Sequence, residues 1–580
     1  MQSSPSYSRG FEGPALRETL AGQRVKMLTA TSSAIYPAIN RWEDAGISLL
    51  DALEKYTNIC CSLAKESLLD GTPPTFLAAR IENTLGSIGS KFARMQSILA
   101  QTRNLAVAPL HRFPEEVLSE IFAHVVFSPL DLSLGSDPDS VRMCTISVHR
   151  ALQNLLGICT LWRNLAMNQG ALWSIIPLFD KVKAPQSYRS MLDHALRQNK
   201  GVGLSLVASW RYQSDISIIS NYITQFQFVN IFDASRRAIR AALAAFTDWS
   251  GSNPLSLNQL SIHRQRSRGF HRNVPVDDLL FSTASRQQSF NRLVKGLTIL
   301  RIKNTLLHWQ TVRFSDRLTS FHLQDVLLGP DSELISLLSA ISSAAQLRDL
   351  KLIQVRTYKD ATPLPNLVGH SRIRFPNLKS LFIEGLSFNT LQILLVSIQP
   401  QSYRLTLMLS PKLKNMTPRT AEVTDAHLHE LFKLLKHVPV HTFGLDLDLH
   451  RLSVHFKALI DALPSLVTLR LKTTALTPAN CTALERSCEI HGFTSPTFVN
   501  FHLFYSVIVD AEAFKRMVKS HSGSLQRLVL SGSHDGDNEH HERNREKALD
   551  DSLREIVPEY MRGDDTYEYP DHQLFIREER

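Results

Sequence analysis

Apolar residues recur along this chain with two different periods, and the change from one to the other divides it. From Ile35 the steps are three or four residues: Ile35, Ala38, Trp42, Ala45, Leu49, Leu53, Tyr56, Cys60 and Leu63 fall on one stripe of a helix. Gly71-Thr72-Pro73-Pro74 stops that helix, and a second stripe follows in Ile81, Leu85, Ile88, Phe92, Met95 and Leu99. So short a connection predicts an antiparallel helical hairpin over 15–105. The first reading is a hairpin that buries its own seam, and self-association through the same stripe is the second. Residues 1–14, rich in Ser, Gly and Pro, are expected to be disordered.

Three short helices are predicted next, within 108–178. Pro114 suits a first helical turn, Glu115 and Glu116 suit the helix dipole, and Val117, Leu118, Ile121, Phe122 and Val125 share a face. Leu152, Leu155, Leu156, Cys159, Trp162 and Ala166 form a second face, interrupted near Gly170 and followed by Leu172-Trp173. Residues 127–147 between them read as a polar insert. Without that insert the unit is only ~40–50 residues, a size at which an isolated fold is marginal. Burying a large apolar side chain is worth about 1.5–3 kcal/mol, so Phe122, Trp162 and Trp173 left in water would forgo several kcal/mol. The arithmetic favours an apolar docking face. A plain connector, with both tryptophans in an ordinary core, is the competing reading.

From residue 200 the period falls to two. The unit Leu-x-x-Leu-x-Leu recurs at Leu257/Leu260/Ile262, Leu297/Leu300/Ile302, Leu318/Phe321/Leu323, Leu347/Leu350/Leu352, Leu378/Leu381/Ile383, Leu466/Leu469/Leu471 and Leu525/Leu528/Leu530. Each predicts a short strand with one buried face. Helical stripes follow some of them: Asp331 is placed as a cap before Leu334, Leu337, Leu338 and Ile341, and Thr424-Asp425 before Leu428, Leu431, Phe432 and Leu435. Strand, loop and helix in steps of ~20–30 residues predict an α/β repeat array over 200–532, whose output is binding along an extended surface.

Two resemblances sharpen these expectations. Phe113-Pro114, Glu116-Val117-Leu118, Ile121-Phe122, Ile158-Cys159, Trp162-Arg163, Leu165-Ala166 and Leu172-Trp173, in that order, resemble the F-box, in its F-box-like variety. The chain departs from that pattern in Phe113, where Leu is commoner, and in the insert with Gly135, Ser136, Asp137 and Pro138. The resemblance implies docking onto the Skp-type adaptor of a cullin-RING ligase through Phe113, Pro114, Val117, Leu118, Ile121, Phe122, Ile158, Cys159, Trp162, Leu165, Leu172 and Trp173. The C-terminal periodicity resembles a leucine-rich repeat horseshoe, although Thr305, Val355 and Thr474 stand where that family carries its Asn or Cys ladder. Together they imply an α/β chain: a helical hairpin and a three-helix F-box module, then an irregular leucine-rich repeat solenoid acting as substrate receptor of a Skp-cullin-F-box ubiquitin ligase. The alternative is a non-catalytic repeat scaffold with no ligase link.

Composition narrows the classes. At 580 residues, 43% hydrophobic and 20% charged, the chain exceeds one ordinary core and fits neither a disordered nor a collagen-like class. No segment approaches the ~20 apolar residues of a membrane span, and no secretory leader stands at the start, so a soluble cytoplasmic or nuclear protein is expected. The net charge of +10 is uneven: residues 531–580 hold 15 acids against 7 bases, and 533–580 is expected to be an acidic, partly disordered tail. Cys60, Cys61, Cys144, Cys159, Cys481 and Cys488 show no zinc spacing and read as reduced thiols.

No phosphate loop, H-E-x-x-H, G-x-S-x-G or kinase signature occurs, so neither catalytic residues nor a cofactor are assigned. His534, Asp535, Asp537, Glu539, His540 and His541 have metal-ligand chemistry but lie in a polar stretch that reads as solvated. The run from His263 to Arg272, with Arg264, Arg266, Arg268 and Phe270, reads first as a repeat loop, then as a contact for an acidic protein. Nucleic acid ranks last.

Overall fold

The computed structural model describes residues 36–107, 109–132, 138–179, 186–198, 203–210, 216–248, 255–264, 279–281, 283–359, 372–400, 403–409, 425–446, 455–486, 497–531 and 539–563. They fall into two compact units, divided after Arg112.

The first unit consists of α1 (Pro37–Leu69), α2 (Pro74–Val107) and a 3-10 turn at Pro109–Arg112. Pro37 opens α1, where a missing N–H costs nothing. Gly71 closes it at φ 73°, a left-handed conformation that a Cβ would strain, and Thr72 N–H bonds to Ser67 O at 3.0 Å. Leu53, Leu63, Ile88, Phe92 and Met95 are half-buried. The rest of the predicted seam is not: Trp42 is 60% exposed and Leu85 67%, and Leu49, Tyr56, Ile81 and Leu99 are also exposed. The expectation of a hairpin that buries its own seam is thus corrected. Two helices offer each other only one side, and apolar residues such as Ile47 and Leu50 lie off the stripe.

The second unit begins with three helices, α3 (Glu115–Leu132), α4 (Pro138–Ile158) and α5 (Thr160–Asn168), and a 3-10 turn at Gly170–Trp173. Glu115 and Glu116 occupy the first turn of α3, as expected, and Pro114 O accepts the first bond from Leu118 N–H at 3.1 Å. The polar insert is a correction: α3 runs on to Leu132, α4 starts at Pro138, and Val141, Cys144, Thr145 and Val148 are buried. Their steps of three and four extend the stripe of Leu152 and Leu155 backwards, so burial wins over the polar residues between them. The second predicted helix is also broken earlier than Gly170. Cys159 is extended at φ −157°, and its Sγ accepts from Trp162 N–H at 3.5 Å, which caps α5.

Among the described residues fourteen parallel strands follow in one sheet, and their spatial order is their chain order. They are β1 (Ile175–Phe179), β2 (Leu204–Ser209), β3 (Phe226–Ala234), β4 (Gln259–Arg264), β5 (Ile299–Lys303), β6 (Ser320–Gln324), β7 (Asp349–Ile353), β8 (Ser380–Glu384), β9 (Arg404–Leu409), β10 (Val440–Asp446), β11 (Thr468–Lys472), β12 (Asn500–Phe504), β13 (Arg527–Ser531) and β14 (Glu559–Gly563). A strand that pairs in parallel with the next needs a crossover, and helices such as α6 (Gln186–Gln198), α7 (Arg236–Thr247) and α8 (Ala284–Val294) lie in these connections. Further along come α9 (Asp331–Ile341), α10 (Phe388–Ser397), α11 (Asp425–Leu435), α12 (Phe456–Asp461), α13 (Pro478–Leu484), α14 (Ala511–Ser520) and α15 (Glu539–Ile556). This is a solenoid-like α/β architecture.

All seven predicted Leu-x-x-Leu-x-Leu sets are buried. Leu300, Phe321, Leu350, Leu381 and Leu405 stand in register on β5 to β9 and make one row of the core. The sheet outruns the predicted limits of 200 and 532 at both ends. β1 starts at Ile175, while α15 buries Leu553 and leads into β14, which pairs with β13 from Arg527↔Glu559 onwards. Leu549, Leu553 and Ile556 give that acidic segment enough apolar surface to pack.

Six of the repeats end alike. Asn304, Asp325, Gln354, Gly385, Thr473 and Tyr505 take φ between 48° and 61°, and each sits directly after its strand. The amide of each donates to the last carbonyl of the following strand or its edge, as Gln354 N–H does to Glu384 O at 2.7 Å and Tyr505 N–H to Ser531 O at 2.7 Å. The side chain after it turns inward, and Thr305, Val355 and Thr474 are all buried. Asp331, expected as a cap, is instead the first residue of α9, whose preceding Pro330 makes no side-chain cap. The buried Asp331 Oδ1 accepts from Asn389 Nδ2 at 2.8 Å. Thr424 lies outside the described residues.

Candidate functional site

The twelve docking residues divide by depth. Phe113, Pro114, Val117 and Ile158 are exposed, Ile158 to 54%; Ile121, Cys159, Trp162 and Leu165 are half-buried; Leu118, Phe122, Leu172 and Trp173 are buried. Phe122 sits 4.9 Å from Trp162 between ring centroids. Trp173 donates from Nε1 to Ala166 O at 2.8 Å and meets His194 of α6 edge-on at 4.8 Å. Gln169 Nε2 ties the end of α5 to Ser119 O on α3 at 3.1 Å. Phe122 and Trp173 therefore need no second protein to leave water, because α4, α5 and α6 already cover them. Among the described residues of the triplet, the large apolar side chains that stay exposed are Phe113, Val117, Val125, Met143 and Ile158. Sequence reading missed Met143, since it fell inside the segment taken for a loop.

The buried indole Nε1 of Trp162 has no hydrogen-bond partner, a cost of about 1–3 kcal/mol for a polar group out of water. Nearby on α4, burial pushes the imidazole of His149 down to about 4, against a backbone contact from Ile175 that acts the other way. It is neutral at neutral pH.

The sheet supplies a second candidate surface. In Leu-x-x-Leu-x-Leu the residue between the last two apolar positions points away from the core. Those positions line up across the strands as Ser261, Arg301, His322, Lys351 and Phe382 on β4 to β8, and as Arg470, His502 and Val529 on β11 to β13. Beside them Ile353, Phe382 and Met408 form an apolar cluster separate from the main core. A Cβ on Gly444 would overlap the Sδ and Cε of Met408, so the glycine makes room for the methionine.

Charge on this face is mixed. Lys472 Nζ lies 3.4 Å from Asp446 Oδ2, and Arg527 Nε 3.9 Å from Glu559 Oε2. His502 is held down at about 4 by burial, and by Arg470 and Arg527 on the flanking strands. Asn230, which lines a small cleft with Ser205, Ser261 and Arg301, keeps a buried Nδ2 without a partner. None of these face residues was singled out by motif. The signal was the middle x of each repeat, visible only once the strand register is known.

The remaining sequence candidates lead nowhere comparable. His263 and Arg264 end β4, whereas Arg266, Arg268, Phe270 and Arg272 lie outside the described residues, as do His534, Asp535, Asp537 and Cys488. Among the described residues no group of His, Cys, Asp and Glu is placed to hold a metal, and no helix is long and apolar enough to cross a membrane. Cys144 and Cys481 are buried, and burial raises the Cys481 thiol to about 11. No family model matches the chain, and no curated protein matches it.

Proposed function

We propose that this chain is a non-catalytic substrate receptor: an F-box-like helical triplet docks on a Skp-type adaptor of a cullin-RING ligase, and a leucine-rich repeat sheet holds a protein target. Ubiquitin transfer then belongs to other subunits. The observation that carries the reading is the set of apolar side chains on the triplet that its own helices leave wet, with Phe113, Val117 and Ile158 42–54% exposed. Apolar side chains left wet are costly in isolation, and a partner that covers them removes that cost. Parallel strands in chain order provide the extended binding surface the reading requires.

The test uses exposed positions, so that loss of binding is not loss of fold. Val117→Asp combined with Ile158→Asp removes two apolar contacts worth about 1.5–3 kcal/mol each and is expected to weaken adaptor binding by about 100-fold or more. A wild-type chain that ignores the purified adaptor, or a double variant that binds it equally well, rejects the proposal.

One observation favours the second reading, a scaffold with no ligase link. Leu172 and Trp173 are sealed within the chain, and Trp173 leads within two residues into β1, so the triplet also covers the start of the sheet. Solenoids need such caps whether or not they dock. Adaptor binding separates the two readings.

A further inference from the structure

Among the described residues of the first unit, seventeen large apolar side chains are exposed, including Trp42, Leu49, Tyr56, Ile59, Ile81 and Leu85. Ser67 is the one residue of α1 that is buried. A helix with apolar groups beyond one stripe is stable in water only when more than one neighbour covers it. The largest apolar patch on a typical monomer is ~300–600 Å2, and two helices each about 50 Å long carrying these residues exceed it.

The charges indicate what covers them. α1 holds five acids (Glu43, Asp44, Asp51, Glu54, Glu66) against three bases, a net of −2, whereas α2 holds four bases (Arg80, Lys91, Arg94, Arg103) against one acid, a net of +3. A second copy therefore offers an oppositely charged helix of matching length to each helix of the first. In an antiparallel four-helix bundle each acidic α1 gains a basic neighbour on both sides, one from its own chain and one from the other. At about 25 cal/mol per Å2, the roughly 1.5–3 kcal/mol of burying a large apolar side chain corresponds to ~60–120 Å2, so eight such residues on each of two copies withdraw on the order of 1,500 Å2, within the ~1,200–2,000 Å2 of a stable interface.

We infer that the chain is a homodimer, joined by a four-helix bundle in which α1 of one copy packs against α2 of the other. The dimer does not rest on the ligase reading, and failure of adaptor binding leaves it untouched.

Sedimentation velocity on the full chain tests it. Wild type is expected at twice the chain mass, dissociating on dilution, and Trp42→Glu with Leu49→Glu and Leu85→Glu at the single mass with unchanged thermal unfolding of the strand-bearing unit. A chain with Glu43, Asp44, Asp51 and Glu54 changed to Lys, and another with Arg80, Lys91 and Arg94 changed to Glu, are each expected to be monomeric alone and to pair one-to-one when mixed. A wild type that stays monomeric up to about 50 μM, at which a functional dimer should be populated, overturns the inference. So does a triple variant that remains dimeric, or charge variants that fail to pair.

Discussion

The hydroxyl of Thr474 lies 3.1 Å from the hydroxyl of Ser506, and the two residues hold the same buried position at the exits of β11 and β12. Ser506 Oγ also accepts from Thr474 N–H at 3.3 Å and donates to Phe504 O at 2.9 Å. A pair of hydroxyls thus does what a longer amide side chain could do here: it satisfies backbone polar groups that face inward at a turn.

Ser506→Ala is expected to destabilise the second unit by about 1–3 kcal/mol, because it strands a buried N–H and a buried hydroxyl. The double variant with Thr474→Val should cost less than the sum of the single changes, since it removes one of the stranded groups. Denaturant unfolding of all three variants measures the coupling. Strict additivity would mean that the two hydroxyls do not depend on each other.

Asn389 spans two repeats, with Nδ2 donating to Asp331 Oδ1 at 2.8 Å and to Thr357 Oγ1 at 3.2 Å, all of them buried. Thr357 Oγ1 continues to Thr390 Oγ1 at 2.8 Å. Asn389→Leu replaces the donor by an apolar group of similar size and is expected to cost about 1–3 kcal/mol or more, since the remaining partner is a carboxylate. A change in the unfolding midpoint that is within error of wild type would show that the bridge does not hold α10 to α9.

Depth on the helical triplet predicts opposite outcomes at neighbouring positions. Phe122→Ala, at 0% exposure, should cost about 3–5 kcal/mol, while Val117→Ala, at 42%, should stay within about 1 kcal/mol of wild type. Thermal unfolding distinguishes them. Equal losses would mean that Val117 is packed in solution and unavailable for docking.

Stability should fall as pH drops below about 6.5. His149 and His502 have folded pKa values near 4, below the ordinary value of 6.5, so the unfolded chain binds more protons between those limits. Each histidine contributes up to about 3 kcal/mol of stability that is complete at neutral pH and is lost progressively from pH 6.5 down to about 4. His502→Gln and His149→Phe should each flatten the dependence across that window, as read from unfolding midpoints at a series of pH values. An unaltered slope in both variants would assign the acid sensitivity elsewhere.

Periodicity alone made the strand-bearing region legible, because a parallel strand buried on one side must repeat its apolar residues at fixed steps. Seven sets built on Leu, six of them from Leu and Ile alone and one with Phe321, were visible as such, whereas Phe226/Val229/Ile231, Val440/Phe443/Leu445 and Phe498/Phe501/Leu503 keep the same spacing with Phe and Val and passed unnoticed. Alternating Leu405, Leu407 and Leu409 lack the first member of the step. Spacing rather than leucine content was the durable signal.

The sequence by itself determined the helical hairpin, the helical triplet and the alternation of strand and helix, since all three are written in residues a few positions apart. Only the tertiary structure decided that Val141, Cys144 and Thr145 of the predicted polar insert are buried on a helix, that β14 completes the sheet from within the acidic segment, and that Phe122 and Trp173 are already covered while Val117 and Ile158 are not. Local pattern tells which side chains must leave water. Which neighbour takes them out is fixed by contacts between residues far apart in the chain, and no window of sequence contains those.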